Sequence, residues 1–217
     1  GDAALYCDFG SEINKNINSE VIKFFKTIKE KNIEGITNLT PSYNKLIVSY
    51  DLRVTNFKEI KDKIENLEIN EVQEIASKKI EIPVCCDSSF SLDMRRLEKK
   101  LNLSREKILE NFFSKEYFCY MIGFIAGMPF LGDLGENMRA QRLETPRVKV
   151  PKGSVGMTEQ FANIYTFESP GGWNIIGNTP LDVFDSSKEK EPNLINPGDL
   201  VVFKQITLQK YNNYNEQ

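Results

Sequence analysis

Arginine is scarce in this chain, seven residues against 21 lysines, yet Arg139, Arg142 and Arg147 fall within a span of nine. A guanidinium carries a rigid planar fork of donors that matches carboxylate or phosphate oxygens two at a time, and it stays charged at every working pH. Clustering of the rarer cation therefore points to recognition of an anion. Arg147 is the leading candidate, because Thr145-Pro146 before it and Val148-Lys149-Val150 after it place it at the entrance of a strand. The alternative is surface pairing with Glu136 or Glu144.

Two glycine-containing segments follow. In Val150-Pro151-Lys152-Gly153-Ser154 the proline and glycine spacing predicts a tight turn between strands. The backbone amides of Gly153 and Ser154 could line a pocket there, with Lys152 adding positive charge. The G-x-x-x-x-G-K-[ST] pattern of a phosphate-binding loop is absent. Further on, Glu168-Ser169-Pro170-Gly171-Gly172-Trp173 combines two glycines, which permit close approach of a ligand or another chain, with the single tryptophan. The same residues could instead bend a strand and anchor a core.

The chain contains no histidine, so an imidazole general base, a Ser-His or Cys-His nucleophile pair and a histidine metal ligand are all excluded. Proton transfer would fall to carboxylates, lysine, tyrosine or cysteine. Glu168 is the candidate by position, ahead of Asp8, Asp87 and Asp133. The four cysteines, Cys7, Cys85, Cys86 and Cys119, lack CxxC spacing and are expected to be buried free thiols. No metal site is expected. Charge is nearly balanced at −3, so neither a nucleic-acid footprint nor a basic membrane patch is expected. The longest uncharged stretch, 117–132, contains Gly123, Gly127 and Pro129, is too short to span a bilayer, and reads as core. A cytoplasmic location is the expectation.

These residues need a scaffold, and the distribution of glycine and proline divides it in two. Ten of 13 glycines and seven of nine prolines lie from residue 123 onward. Before that point the pattern alternates between strand and helix. A strand is expected over residues 3–9, a helix capped by Ser19, strands near 36–39 and 45–50, a helix bearing Phe57, Ile60, Ile64 and Leu67, and a fourth strand over 79–84. That βαββαβ order is the order of a ferredoxin-like unit. Two short helices, 92–101 and 105–113 with Ser104 as N-cap, read as a packed hairpin. Their second helix balances Arg105 and Lys107 against Glu106 and Glu110, unlike a DNA-reading helix. From residue 117 short apolar runs between glycine-rich turns (118–124, 148–150, 164–167, 173–176 and 200–203) predict a β-barrel or sandwich. The expected organisation is an α+β chain with a ferredoxin-like lobe at 1–84, a barrel domain at 85–208 that carries the helical hairpin near its start, and a frayed polar tail at 209–217.

Four motifs occur in series: GFIAGMPFLGDL (123–134), TPRVKVPKGSVG (145–156), IYTFESPGGWNIIGNTP (164–180) and NPGDLVVF (196–203). In order and spacing they resemble the family of 5-oxoprolinase B subunits, also called allophanate hydrolase subunit 1, which includes the inhibitor of a sporulation histidine kinase. YCDFG and PSYNKLIVSYD extend the similarity over about residues 3–205.

The resemblance implies a cyclophilin-like β-barrel after the ferredoxin-like lobe. It also implies partners, the homologous C and the A subunits of 5-oxoprolinase, with ATP shared in the complex to open 5-oxoproline to glutamate. A small lactam or amide is the implied substrate. Opening a resonance-stabilised amide near neutral pH requires its activation, so anion-binding groups matter more than a histidine base. Arg147, Lys152, Gly153, Ser154, Gly171, Gly172 and Trp173 are the expected ligand-binding residues and Glu168 the expected catalytic one. A regulatory protein that inhibits a sensor histidine kinase is the alternative, and prolyl isomerisation is a third reading that the fold alone does not support. The chain departs from the family pattern in having Asn111 where relatives commonly carry a histidine, Cys86-Asp87-Ser88 where they carry a Tyr-Gly-Gly run, and Ala126 and Met128 in place of Pro and Phe. The chain is therefore expected to be part of an enzyme complex and not active alone.

Overall fold

The computed structural model describes residues 2–68 and 78–214. The chain divides into two compact units, Gly1–Ala76 and Ser77–Gln217.

The first unit runs through strand β1 (Ala4–Asp8), helix α1 (Lys15–Lys31), strands β2 (Ile36–Pro41) and β3 (Lys45–Tyr50), and helix α2 (Phe57–Glu65). The antiparallel sheet has the order β1-β3-β2, as in a ferredoxin-like unit short of its fourth strand. Alternation along β3 buries Leu46, Val48 and Tyr50 against Val21 and Ile28 of α1 and Ile60 and Ile64 of α2. Helix α1 starts earlier than the expected Ser19 cap. Asn14 is extended, and its side chain accepts a hydrogen bond from the Ile17 amide at 3.0 Å. The first helical turn is polar because it carries a tertiary tether: the fully buried Asn18 amide donates to the carbonyls of Ser42 and Tyr43.

The strand expected to complete this lobe belongs elsewhere. Strand β4 (Lys79–Cys85) lies parallel to strand β12 (Leu200–Ile206) in continuous register from Lys79↔Leu200 to Cys85↔Ile206. Its Ile82 and Val84 enter the core of the second unit. The boundary accordingly falls at residues 76/77 instead of 84. The segment between α2 and β4, residues 69–77, lies outside the described residues.

The second unit is a closed barrel built from β4, β5 (Glu116–Ile122), β6 (Pro129–Gly132), β8 (Ser154–Thr158), β9 (Phe161–Ile164), β11 (Asn174–Asn178) and β12, in the order β11-β4-β12-β5-β6-β9-β8. Pairing of β8 with β11 closes the ring, so no barrel strand is left with a free edge. Outside it, β7 (Arg147–Val150) and β10 (Ser169–Gly171) form a two-stranded ribbon. The helical hairpin is present as α3 (Met94–Leu101) and α4 (Arg105–Phe113), with Ser104 accepting from the Lys107 amide at 3.3 Å. It buries Met94, Leu97, Ile108 and Phe112 in the barrel core.

The tail is not frayed over its described part. Leu208–Tyr214 form helix α5, where the Tyr211 hydroxyl donates to Asn178 Oδ1 at 2.8 Å and the Tyr211 ring packs 4.5 Å from that of Phe90. One amphipathic aromatic anchors a segment whose composition reads as polar. Among the described residues no helix is long and apolar enough to cross a membrane.

Candidate functional site

A connected polar cluster of the barrel unit forms where α3, β11 and the β7–β10 ribbon meet. Asp93 occupies the N-cap position of α3 but makes no side-chain cap bond. Its carboxylate instead accepts from the Ile175 amide of β11 at 2.7 Å and from Arg147 Nη2 of β7 at 2.6 Å, while its own amide donates to the Ile175 carbonyl at 3.0 Å. The Asp93 side chain is 5% exposed and that of Arg147 28%. Arg147 Nη1 is buried and has no hydrogen-bond partner among the described residues.

One turn along α3, Arg96 continues the cluster. Its Nη1 bonds to the side-chain oxygen of Asn174 and, at 3.3 Å, to the Gln141 carbonyl, and its Nη2 reaches the Arg142 carbonyl at 3.4 Å. Asn174 is fully buried and donates to the carbonyls of Gln141 and Met157. The Leu143 amide donates to the Gly172 carbonyl at 2.7 Å. Together these bonds fix the irregular chain at 141–143 against β11 and so set the base of the exposed Arg142 side chain.

Tyr165, 1% exposed, completes the cluster. Its ring lies on the backbone of Gly171, where a β-carbon would collide with the hydroxyl and would sit 2.7 and 2.8 Å from Cζ and Cε1. Burial raises the Tyr165 hydroxyl above the usual tyrosine range, opposed by hydrogen bonds from Asn163 and the Trp173 amide and by the charges of Arg142 and Arg147. The phenol is therefore neutral at pH 7 and keeps a proton to donate. Trp173, 8% exposed, meets Phe130 edge-on at 5.5 Å.

The structure unites some of the residues singled out in the sequence and separates others. Arg147, Gly171, Gly172 and Trp173 come together. The glycines make room: Gly171 for the Tyr165 phenol, and Gly172 for Arg142 and Pro146, whose atoms lie 3.5–3.6 Å from where a β-carbon would stand. Lys152 is on the surface in an ion pair with Asp182 at 2.6 Å. The Gly153 amide already donates to the Tyr165 carbonyl and the Ser154 amide to the Pro151 carbonyl, so neither is left to line an anion pocket. Gly153 has φ +79°, and a β-carbon there would meet the Thr179 carbonyl oxygen at 2.5 Å, so this glycine serves the turn between β7 and β8.

Glu168, the expected catalytic residue, lies at the surface. It is 56% exposed and pairs with the 74% exposed Lys149 at 2.8 Å across the ribbon, with no enclosed surroundings to tune it. Arg139 is exposed at the end of a single 3-10 turn (Glu136–Met138). Asn111 contacts the Met138 sulfur through Nδ2 at 3.8 Å. Cys85, Cys86 and Cys119 are buried free thiols and Cys7 is half-buried and free. Burial pushes Cys86 up to about 12, with Cys85 adding to the shift and Arg105 opposing it, which disfavours the nucleophilic thiolate. Among the described residues no group of three or more potential ligands could hold a metal ion.

Asp93, Arg96, Asn174 and Tyr165 were missed by sequence reasoning. Tyr165 and Asn174 lie inside the 164–180 motif, which is the one signal that marks them. Asp93 and Arg96 fall inside the expected helix 92–101, where nothing in the sequence sets them apart.

A family model for the carboxyltransferase domain, subdomains C and D, matches residues 1–195. The B subunit of 5-oxoprolinase from Bacillus subtilis is 34% identical over all of this chain and 95% of its own length. The chain belongs to the family of 5-oxoprolinase B subunits. The family member from Haemophilus influenzae is 37% identical over 78% of the chain and 79% of its own length. Among solved structures, TTHA0988 superimposes with a TM-score of 0.84 at 28% identity over 94% of this chain. The match spans only 40% of that longer protein. The urea amidolyase of K. lactis, at 18% identity and a TM-score of 0.78 over 97% of this chain and 15% of that one, shares the fold. These likenesses and the closed seven-stranded ring agree with the cyclophilin-like barrel expected of the family.

Proposed function

We propose that this chain is the B subunit of an ATP-dependent 5-oxoprolinase, working in the cytoplasm with the homologous C and the A subunits to open 5-oxoproline to glutamate. The observation that carries this reading is the 34% identity to the 5-oxoprolinase B subunit of Bacillus subtilis along the entire chain. Two features of the barrel unit support it. The polar cluster holds three arginines, Arg96, Arg142 and Arg147, of which Arg147 pairs with the Asp93 carboxylate, leaving an excess of positive charge suited to an anionic small molecule. That carboxylate is itself engaged by Arg147 and the Ile175 amide, which leaves proton transfer to residues that partner chains would bring.

The turn Val150-Pro151-Lys152-Gly153-Ser154 does not make a phosphate cradle for ATP. The amides of the one glycine turn that carries a lysine are consumed by internal hydrogen bonds, and Lys152 is paired with Asp182. Nucleotide binding and the phosphoryl step are assigned to the partner chains, and this chain contributes substrate recognition.

Co-expression with candidate A and C subunits, followed by measurement of glutamate formed from 5-oxoproline with and without ATP, tests the reading. ATP-dependent glutamate release from the assembly alone is the expected result. Release by this chain unaided, or none from the assembly, would overturn it.

A further inference from the structure

Strand β1 is one edge of the first unit's sheet, whose order is β1-β3-β2. Its bonds to β3 run through the odd-numbered residues: the Ala3 carbonyl accepts from the Tyr50 amide and the Phe9 amide donates to the Asn44 carbonyl, each at 3.0 Å, with continuous register between. Antiparallel strands alternate in this way, so the backbone N–H and C=O groups of Ala4, Tyr6 and Asp8 point away from β3. Among the described residues they have no backbone partner. The two edges of the sheet differ. On β2 the register shifts between Ile36 and Asn38 and the strand ends in Pro41, features that blunt an edge against a further strand. Strand β1, Ala4-Leu5-Tyr6-Cys7-Asp8, has no proline, lysine or bulge. Beside it runs a cavity of about 400 Å³, lined by Cys7 and Phe9 from the sheet side, Phe24 from α1, and Phe57, Ile64 and Leu67 from α2 and just beyond it. The charged residues along it are paired locally, Lys61 with Glu65 at 2.9 Å and Asp8 with Lys45, so the slot carries no net charge. In a ferredoxin-like sheet this place belongs to a fourth strand, and the next strand of this chain among the described residues, β4, is committed to the barrel.

We propose that this slot takes an extended, uncharged segment of a partner chain as an added strand, antiparallel to β1, with its alternate apolar side chains turned into the cavity. Charge decides the class of segment. With Lys61–Glu65 and Asp8–Lys45 already satisfied, a charged side chain in the slot would lose hydration and find no counter-ion. Width decides against a second copy of this chain: pairing two β1 strands about a twofold axis keeps both copies of α2 on one side of the joint sheet, where α2 already walls the slot. Direction follows the rest of the sheet, which is antiparallel throughout. In that arrangement the partner residues that bond to Ala4, Tyr6 and Asp8 carry their side chains on the face away from the helices, beside the 60% exposed Tyr6, and the residues between them fill the cavity. The inference is independent of the 5-oxoprolinase reading.

The probe is a fluorescein-labelled peptide of alternating threonine and valine with a lysine at each end, titrated with the full chain and followed by anisotropy. Saturable binding tighter than about 1 mM is expected. With the valines in the cavity, the threonine amides face β1. N-methylation of the threonines should therefore weaken binding at least about tenfold, whereas N-methylation of the valines, whose amides face solvent, should leave it within about threefold. Tyr6→Pro removes an outward amide without touching a bond to β3 and should abolish binding, the urea midpoint reporting that the fold is kept, while Tyr6→Thr should still bind. No saturable binding, the reverse methylation pattern, or undiminished binding by a folded Tyr6→Pro would overturn the proposal. A doubling of mass on sedimentation that Tyr6→Pro abolishes would also overturn it, giving the edge to a second copy. So would binding that appears only after the triple change Ile69→Ser, Val72→Ser and Ile75→Ser, which would give the slot to residues 69–77 of the chain itself.

Discussion

Arg147 and Asp93, 54 residues apart in the chain, form a largely buried ion pair with Nη2 2.6 Å from Oδ1, and the same carboxylate accepts the Ile175 amide at 2.7 Å. One side chain thereby ties the start of α3 to a barrel strand and to the outer ribbon. Removing one member of such a pair leaves the other as an uncompensated buried charge. Asp93→Ala should lower unfolding stability by about 3–5 kcal/mol. Arg147→Ala should cost less, because Asp93 keeps the Ile175 amide. Urea midpoints of the two single variants and the double variant check this, the double falling well short of the sum. Additive losses would mean that the pair is not coupled.

The two adjacent glycines of the ribbon should respond differently to the same added methyl group. At Gly171 the new carbon meets the Tyr165 ring and hydroxyl, whereas at Gly172 its nearest neighbours are 3.5–3.6 Å away. Gly171→Ala is expected to cost about 1–3 kcal/mol through overpacking, and Gly172→Ala to stay within about 0.5 kcal/mol. Thermal or urea unfolding of the pair distinguishes them, and equal costs would refute the close approach of the phenol.

Glu168 lies in a solvent-exposed ion pair with Lys149, and exposed pairs contribute little. Glu168→Gln should leave glutamate release by the assembled enzyme within about twofold of wild type, whereas loss of a general acid or base costs about a hundredfold or more. A fall of that size would restore Glu168 to the chemistry.

Alkaline conditions should destabilise the barrel through its buried acids. Burial, with a smaller contribution from Cys85, raises Cys86 from 9.0 to about 12, and the hydroxyls of Tyr117 and Tyr120 are also raised by burial. Below pH 9 the Cys86 thiol is protonated in both the folded and the unfolded chain and contributes no pH dependence. Above it the unfolded chain releases the proton first, so stability falls by about 1.4 kcal/mol per pH unit for this group until the folded thiol ionises near 12. Urea unfolding at a series of pH values should show this decline, and Cys86→Ala should reduce its slope whatever it does to stability at neutral pH. An unchanged slope would place the alkaline sensitivity elsewhere.

Much of this molecule is decided by local sequence. Hydrophobic periodicity places α1 to α4 and most strands, the concentration of glycine and proline after residue 123 marks the barrel, and the serial motifs identify the family, because spacing and turn chemistry act over a few residues. The cluster of rare arginines likewise directs attention to Arg147. What the sequence leaves open is which distant segments meet. Alternation at Ile80, Ile82 and Val84 predicts a strand but is the same whichever sheet receives it, and only pairing with β12 assigns it to the barrel. Asp93 falls inside an expected helix, and only the fold brings Ile175 and Arg147 to its carboxylate. Glu168 stands beside the glycines in sequence, yet it lies exposed in the bend before β10 while Tyr165 is carried inward onto Gly171. Burial and partnership across tens of residues decide which polar groups can do chemistry, and those are properties of the tertiary structure alone.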